Sequence, residues 1–242
     1  MPVITYRVRT VRSGATLKGA TQPALGTLDA VLKFDSVEFP ALVYTELVAQ
    51  RLGSALGVPL ADGVLSFLGN AYAYASLMVA PHGLTLTKLS RRCADAVATL
   101  YPDEAAALTV FDLLVGNWDR ADNVMVALGA TPIRMFVAYD HSHALLHVDS
   151  DRSASIARLG CGDLIVRYHP FFGRVERERL LLWASRIASL PSYMWQACVN
   201  VGTLPGIAAD IPNALSTALQ RRAHLLTELI HEHSNLVFAS SD

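Results

Sequence analysis

The chain has 242 residues, 52% of them hydrophobic and 17% charged, with a formal net charge of −1. That composition supports a sizeable buried core and excludes a disordered chain, and the near-neutral charge argues against a strongly basic nucleic-acid-binding surface. Cys93, Cys161 and Cys198 are odd in number and widely spaced with no C-x-x-C pair, which argues against a zinc ribbon or a dithiol site and suits a reducing compartment.

In chain order, the opening MPVITYRVRTVRSG lacks the long apolar core of a secretory signal. Val3 to Val11 alternates and is rich in β-branched residues, which predicts a strand, and Leu28 to Phe34 reads as a second one. Ala41 to Leu56 carries a helical apolar period that stops at Gly57-Val58-Pro59. Two strands follow, Gly63 to Leu68 and Ala71 to Val79, joined by the turn pair Gly69-Asn70. The apolar stretch Leu56 to Ala80 is broken by Pro59, Asp62, Gly63 and Asn70, so it offers no clean membrane span; a soluble, cytoplasmic protein is expected.

Past Pro81-His82-Gly83 the sequence turns mainly helical. Glu104 to Val115 predicts a buried helix that runs into the polar knot Gly116-Asn117-Trp118-Asp119-Arg120-Ala121-Asp122-Asn123. The short apolar runs Val124 to Leu128 and Ile133 to Tyr139 come next, the second ending at Asp140, and helices are predicted near Val175 to Leu190 and Asn213 to His233. A β-rich first third and a helical remainder predict an α+β chain of two lobes with a cleft between them, in a single domain spanning 1–242, with a small N-lobe over about 1–80 and a C-lobe over about 81–242.

Chemistry concentrates in VGNWDRADNVMV and VAYDHSHAL, which bring Asp119, Asn123 and Asp140 towards one place. Phosphoryl transfer needs such a set: one carboxylate orients the attacking hydroxyl, while another carboxylate and an amide hold magnesium on the phosphates. Either cluster alone would read as turn capping. Lys33 lies inside the apolar run VLKF, where an unpaired ammonium is costly, and Glu46 follows thirteen positions later on the next predicted helix. The alternative for Lys33 is a side chain snorkelling from an edge strand. Between the first two strands, Gly14 and Gly19 sit among small hydroxyl residues that let backbone amides approach a phosphate, although no Walker sequence occurs.

The order of a glycine-containing loop, VLKF, YTELVAQRLGSALGVPLADG, FDLLVGNWDRADN and YDHSHAL resembles the HipA-like kinases, a bacterial branch of the atypical kinases distantly similar to phosphoinositide kinases. The similarity spans about residues 13–145. It implies that Lys33, held by Glu46, binds ATP phosphates; that Asp119 is the catalytic base; that Asn123 and Asp140 ligate magnesium; and that adenine sits at the connector by Met78, Val79 and Ala80. It further implies a two-lobed protein-kinase-like fold and phosphorylation of serine or threonine on a protein. Two departures accompany it: Asp119 and Asn123 are four residues apart where the family has five, and Ala121 replaces the histidine usual after the D-R pair. The shorter loop leaves open a second reading, a pseudokinase or nucleotide-binding regulatory module without transfer.

A metal-dependent hydrolase is the rival enzyme, resting on His141, His143 and His147 beside Asp140, with His231 and His233 as further ligands; surface or capping histidines are its structural alternative. Cys161 in LGCGD has a reactive look, but free cysteines are commonly buried and inert. Trp183, Tyr193 and Trp195 read as core, and the alternating charges of Arg174 to Arg179 as a solvated helix face. No basic amphipathic stretch marks a membrane surface.

Overall fold

The computed structural model describes residues 6, 8–12, 25–79, 86–128 and 135–238. Gly14, Gly19 and Ala80 lie outside the described residues, as does part of the first predicted strand. The first part of the chain is built from short antiparallel strands. β1 (Val8–Arg12) pairs with β2 (Leu25–Leu28), and β3 (Ala30–Lys33), β4 (Gly63–Leu68) and β5 (Ala71–Leu77) form a sheet in the order β3-β5-β4. The run expected to form one strand from Leu28 to Phe34 is instead divided at Asp29, whose carbonyl accepts the Met78 N–H at 2.9 Å. A hairpin joins β4 to β5 at Gly69, which takes the left-handed φ of 61° that glycine adopts without steric cost.

Between β3 and β4 runs α1 (Leu42–Leu56), which packs on β4 and β5. Its start is satisfied from the preceding loop, where the Asp35 carboxylate accepts the Val43 N–H at 2.9 Å. It stops at Gly57, φ 75°, with the Val58 N–H donating to the Gly53 carbonyl at 2.8 Å, a left-handed C-terminal cap.

The rest is helical around α3 (Pro102–Val115), whose residues from Ala105 to Val115 are all buried. Among the described residues there are eight helices, including α2 (Ala94–Leu100), α4 (Arg152–Gly160), α5 (Arg177–Ala188), α6 (Ser192–Val199), α7 (Ile211–Glu232) and α8 (Ser234–Val237). α7 packs on α3, α4, α5 and α6. Its buried Arg222 donates to the carbonyls of Leu113 (2.7 Å), Leu159 (3.3 Å) and Asp163 (3.0 Å), so the end of α3 and the exit of α4 are tied to one side chain. Trp183 and Trp195 are core, whereas Tyr193 is 69% exposed, one register step away from the buried face of its short helix. Cys161 is exposed rather than buried, at the end of α4.

A second sheet, β6 (Thr87–Lys88), β7 (Val124–Val126) and β8 (Phe136–Ala138), carries the polar clusters. β8 is hitched to the segment after α1: Ala138 N–H donates to Pro59 O and Ala61 N–H to Ala138 O, both at 2.8 Å. That hitch sets β8, and Asp140 two residues beyond it, beside the helix that carries Glu46. Among the described residues no helix is long and apolar enough to cross a membrane.

Candidate active site

Glu46 is on the face of α1 turned to the sheet and is 1% exposed; Lys33 reaches it from the end of β3, Nζ to Oε1 at 2.6 Å. The same Nζ lies 2.9 Å from Oδ1 of Asp140, so one ammonium joins two carboxylates. Glu46 is held further by the His141 N–H, which donates to Oε1 at 3.0 Å, with His141 Nδ1 3.6 Å from Oε2. Burial by itself would raise the Glu46 carboxyl, but the histidine contact and the lysine charge outweigh it and hold it below the ordinary carboxylate range.

Asp140 has a left-handed φ of 66°, an uncommon conformation for a non-glycine residue that turns the chain two residues after β8. Its Oδ1 accepts the Ser142 N–H at 3.1 Å and the Ser142 hydroxyl at 2.7 Å. Burial pushes this carboxyl up, yet Lys33 and the Ser142 bonds bring it well below its usual range, so it stays ionised. Its Oδ2 accepts no hydrogen bond among the described residues.

The loop after α3 is drawn against this strand by a buried network that the sequence reading did not single out. Asp112, on α3, takes Arg120 on both oxygens, Nε to Oδ2 at 2.7 Å and Nη2 to Oδ1 at 2.9 Å, and also lies 3.1 Å from Nε2 of His169. Arg120 then donates through Nη1 to the carbonyls of Asn123 and Tyr139. Asn117 adds 3.4 Å contacts from Nδ2 to Asp112 and to the Asp140 carbonyl. The signal available in the sequence was Asp112 itself, a carboxylate inside the apolar run FDLLV, which demands a buried cation. Its carboxyl is held far below the ordinary range: burial works against this, and the Arg120 charge with the His169 bond prevails.

The shortened loop closes as a tight turn. Asp122 takes a φ of 63°, the Asn123 N–H donates to the Arg120 carbonyl at 3.2 Å, and Asn123 Nδ2 donates to the Asp119 carbonyl at 2.9 Å. Asp119 thereby projects a carboxylate that is 48% exposed and accepts no hydrogen bond among the described residues. Nδ1 of His143 lies 3.6 Å from its Oδ2; that nitrogen is also 3.1 Å from the Ser142 hydroxyl, which completes a chain of contacts from Asp119 to Asp140.

The structure therefore brings together Lys33, Glu46, Asp119, Asn123 and Asp140. Met78 and Val79 are less committed to the site: the Met78 N–H is taken by Asp29 and its side chain is half exposed, while Val79 bridges to Tyr6. The histidines do not converge. His141 serves Glu46, His143 faces Asp119, and among the described residues no group of three His, Cys, Asp or Glu side chains is placed to hold a metal ion.

No protein-family profile and no curated protein matches the sequence. Solved structures do. The Helicobacter pylori proinflammatory kinase CtkA superposes with a TM-score of 0.61 at 16% identity, over 86% of this chain and 94% of that one. The toxin HipA of Shewanella oneidensis MR-1, solved with HipB and operator DNA, gives 0.58 at 16% identity, over 94% of this chain and 68% of its own. The mixed α/β chain described above thus has the fold of the HipA-like kinases.

Proposed function

We propose that this chain is a two-lobed, single-domain kinase that transfers the γ-phosphoryl group of ATP to a serine or threonine hydroxyl of a protein in the cytoplasm. The observation that carries the reading is the Lys33 ammonium placed 2.6 Å from Glu46 and 2.9 Å from Asp140, with the uncommitted Asp119 carboxylate on the adjoining loop. Glu46, buried and ionised, fixes the lysine where it can pair with nucleotide phosphates. Asp119 accepts the hydroxyl proton as the oxygen attacks phosphorus and the bond to ADP breaks; its exposure lets an acceptor reach it. The free oxygens, Asp140 Oδ2 and the Asn123 amide oxygen, are the hard ligands that magnesium takes, and they fit it. Magnesium held there supplies counter-charge to the phosphates. Arg120 keeps Asn123 and the strand leading to Asp140 in mutual register.

The second reading, a nucleotide-binding module without transfer, is favoured by the four-residue spacing from Asp119 to Asn123 and by the use of the Asn123 amide within its own turn. ATP calorimetry with and without magnesium, on wild type and Asp140→Ala, tests the site. Magnesium-dependent binding that Asp140→Ala weakens supports it, and no binding under either condition removes both readings. Transfer to a serine/threonine protein panel then separates kinase from module.

A further inference from the structure

Beside Asp119 lies surface that the proposed chemistry leaves unassigned. Two hollows of about 720 and 580 Å³ share Trp118, His147 and Asp149, and so form one trough whose middle is the residue preceding Asp119. The first is walled by Phe39 and His143 and the second by Ile165 and Tyr168. Trp118 is 46% exposed and meets the His143 ring edge-on with centroids 4.3 Å apart, so the trough offers a rigid aromatic ridge to whatever lies in it.

Charge is distributed unevenly along it. At the second hollow Arg158 shares Asp149 at 3.3 Å, while Arg167 is exposed with no acidic partner among the described residues. Arg91 lies over the Tyr168 ring at 4.9 Å and donates Nε–H to its hydroxyl at 3.1 Å, again without a carboxylate. Two guanidinium groups thus line this hollow with one carboxylate, and a third, Arg91, lies on the Tyr168 ring that walls it. The far side of Arg158 and Arg167 is a neighbouring hollow bearing Asp163 and Glu232, neither within ion-pair distance of them. At the opposite end the trough carries Glu38, Asp151 and Arg152, whose guanidinium is engaged by the Pro40 and Gly206 carbonyls, so the acidic groups there are in excess.

We infer that this trough seats the acceptor polypeptide, and that the acceptor carries an acidic residue on one flank of its hydroxyl, read by Arg167 and Arg91. The occupant's role as acceptor rests on the kinase reading; the charge preference rests on the trough alone. An extended peptide fits a surface with excess basic charge at one end and excess acidic charge at the other, whereas the repeated phosphates of a nucleic acid would meet Glu38 and Asp151 there.

The test is fluorescence anisotropy on the full chain at low salt without nucleotide, using labelled Gly/Ser peptides flanked by Glu or by Lys and a single-stranded oligonucleotide. The Glu peptide is expected to bind at least about tenfold tighter than the Lys peptide, and Arg167→Glu and Arg91→Glu each to remove that preference. Equal binding of the two peptides, an unaffected Arg167→Glu, or tighter binding of the oligonucleotide would overturn the inference. Since no nucleotide is present, these outcomes hold whether or not phosphate is transferred. Transfer from ATP to the same two peptides judges the kinase reading separately.

Discussion

Arg120 grips both carboxylate oxygens of Asp112 at 2.7 and 2.9 Å, and neither side chain reaches solvent. Paired, the two charges satisfy one another and leave Nη1 of the arginine to hold Asn123 and Tyr139. Removing one partner strands the other in the core. Asp112→Ala should cost about 3–5 kcal/mol, whereas the double variant Asp112→Leu/Arg120→Leu should recover part of that loss. Urea unfolding of the three proteins measures it, and a single variant within about 1 kcal/mol of wild type would contradict the buried pair.

Asp119 stands in contrast, because its half-exposed carboxylate accepts no hydrogen bond among the described residues. Asp119→Ala is expected to lower kcat by about 10²–10⁴ while leaving Tm unchanged. A wild-type rate would sink the assignment of the base, and a large drop in Tm would show a structural role instead.

Lys33→Ala removes the cation between Glu46 and Asp140. On the kinase reading kcat/KM for ATP should fall by about 10²–10³, with the loss read by steady-state kinetics over an ATP series. The variant should also be less stable, since among the described residues Glu46 is then left with His141 as its partner. ATP turnover and stability both equal to wild type would show that the lysine does neither job.

Stability should fall on acidification in two stages. His169 is buried, donates to Asp112 and is held below the ordinary histidine range, chiefly by burial. The unfolded chain therefore takes up its proton first, so that contribution is complete above about pH 6.5 and is lost as pH drops below it. Glu46, Asp112 and Asp140 are likewise depressed, and their contribution is complete above about pH 4.5 and lost as pH falls towards their folded values. A Tm series from pH 8 to 3 should be flat, then decline, then steepen, and His169→Gln should flatten the first decline. A Tm that rises between pH 7 and 5 would refute the sign.

Much of this arrangement was legible before the fold was seen, for a physical reason. Lys33 and Glu46 were found because an ammonium in an apolar strand has to be paired, and Gly57 and Gly69-Asn70 because chain reversal restricts residue choice. What was missed lacks a local signature. α2, α4 and α6 are seven to nine residues long, too short for an apolar period to stand out. The break at Asp29 depends on a partner carbonyl and amide forty-nine residues apart, and Arg222 reaches carbonyls on three separate segments. Arg120 was in view as half of a D-R pair, but its partners, Asp112 on a helix and His169 beyond α4, meet only in three dimensions.

The bridging position of Lys33 bears on how a nucleotide would enter. The ammonium is not an open cation waiting in a cleft, because Glu46 and Asp140 have already divided its charge between them. On the kinase reading, an incoming phosphate would take the third N–H of the lysine or compete with Asp140 for it, and a cation accompanying that carboxylate would lower the free energy of the exchange. If this site binds a nucleotide, its affinity would thus be governed by competition between phosphate and Asp140 for one ammonium.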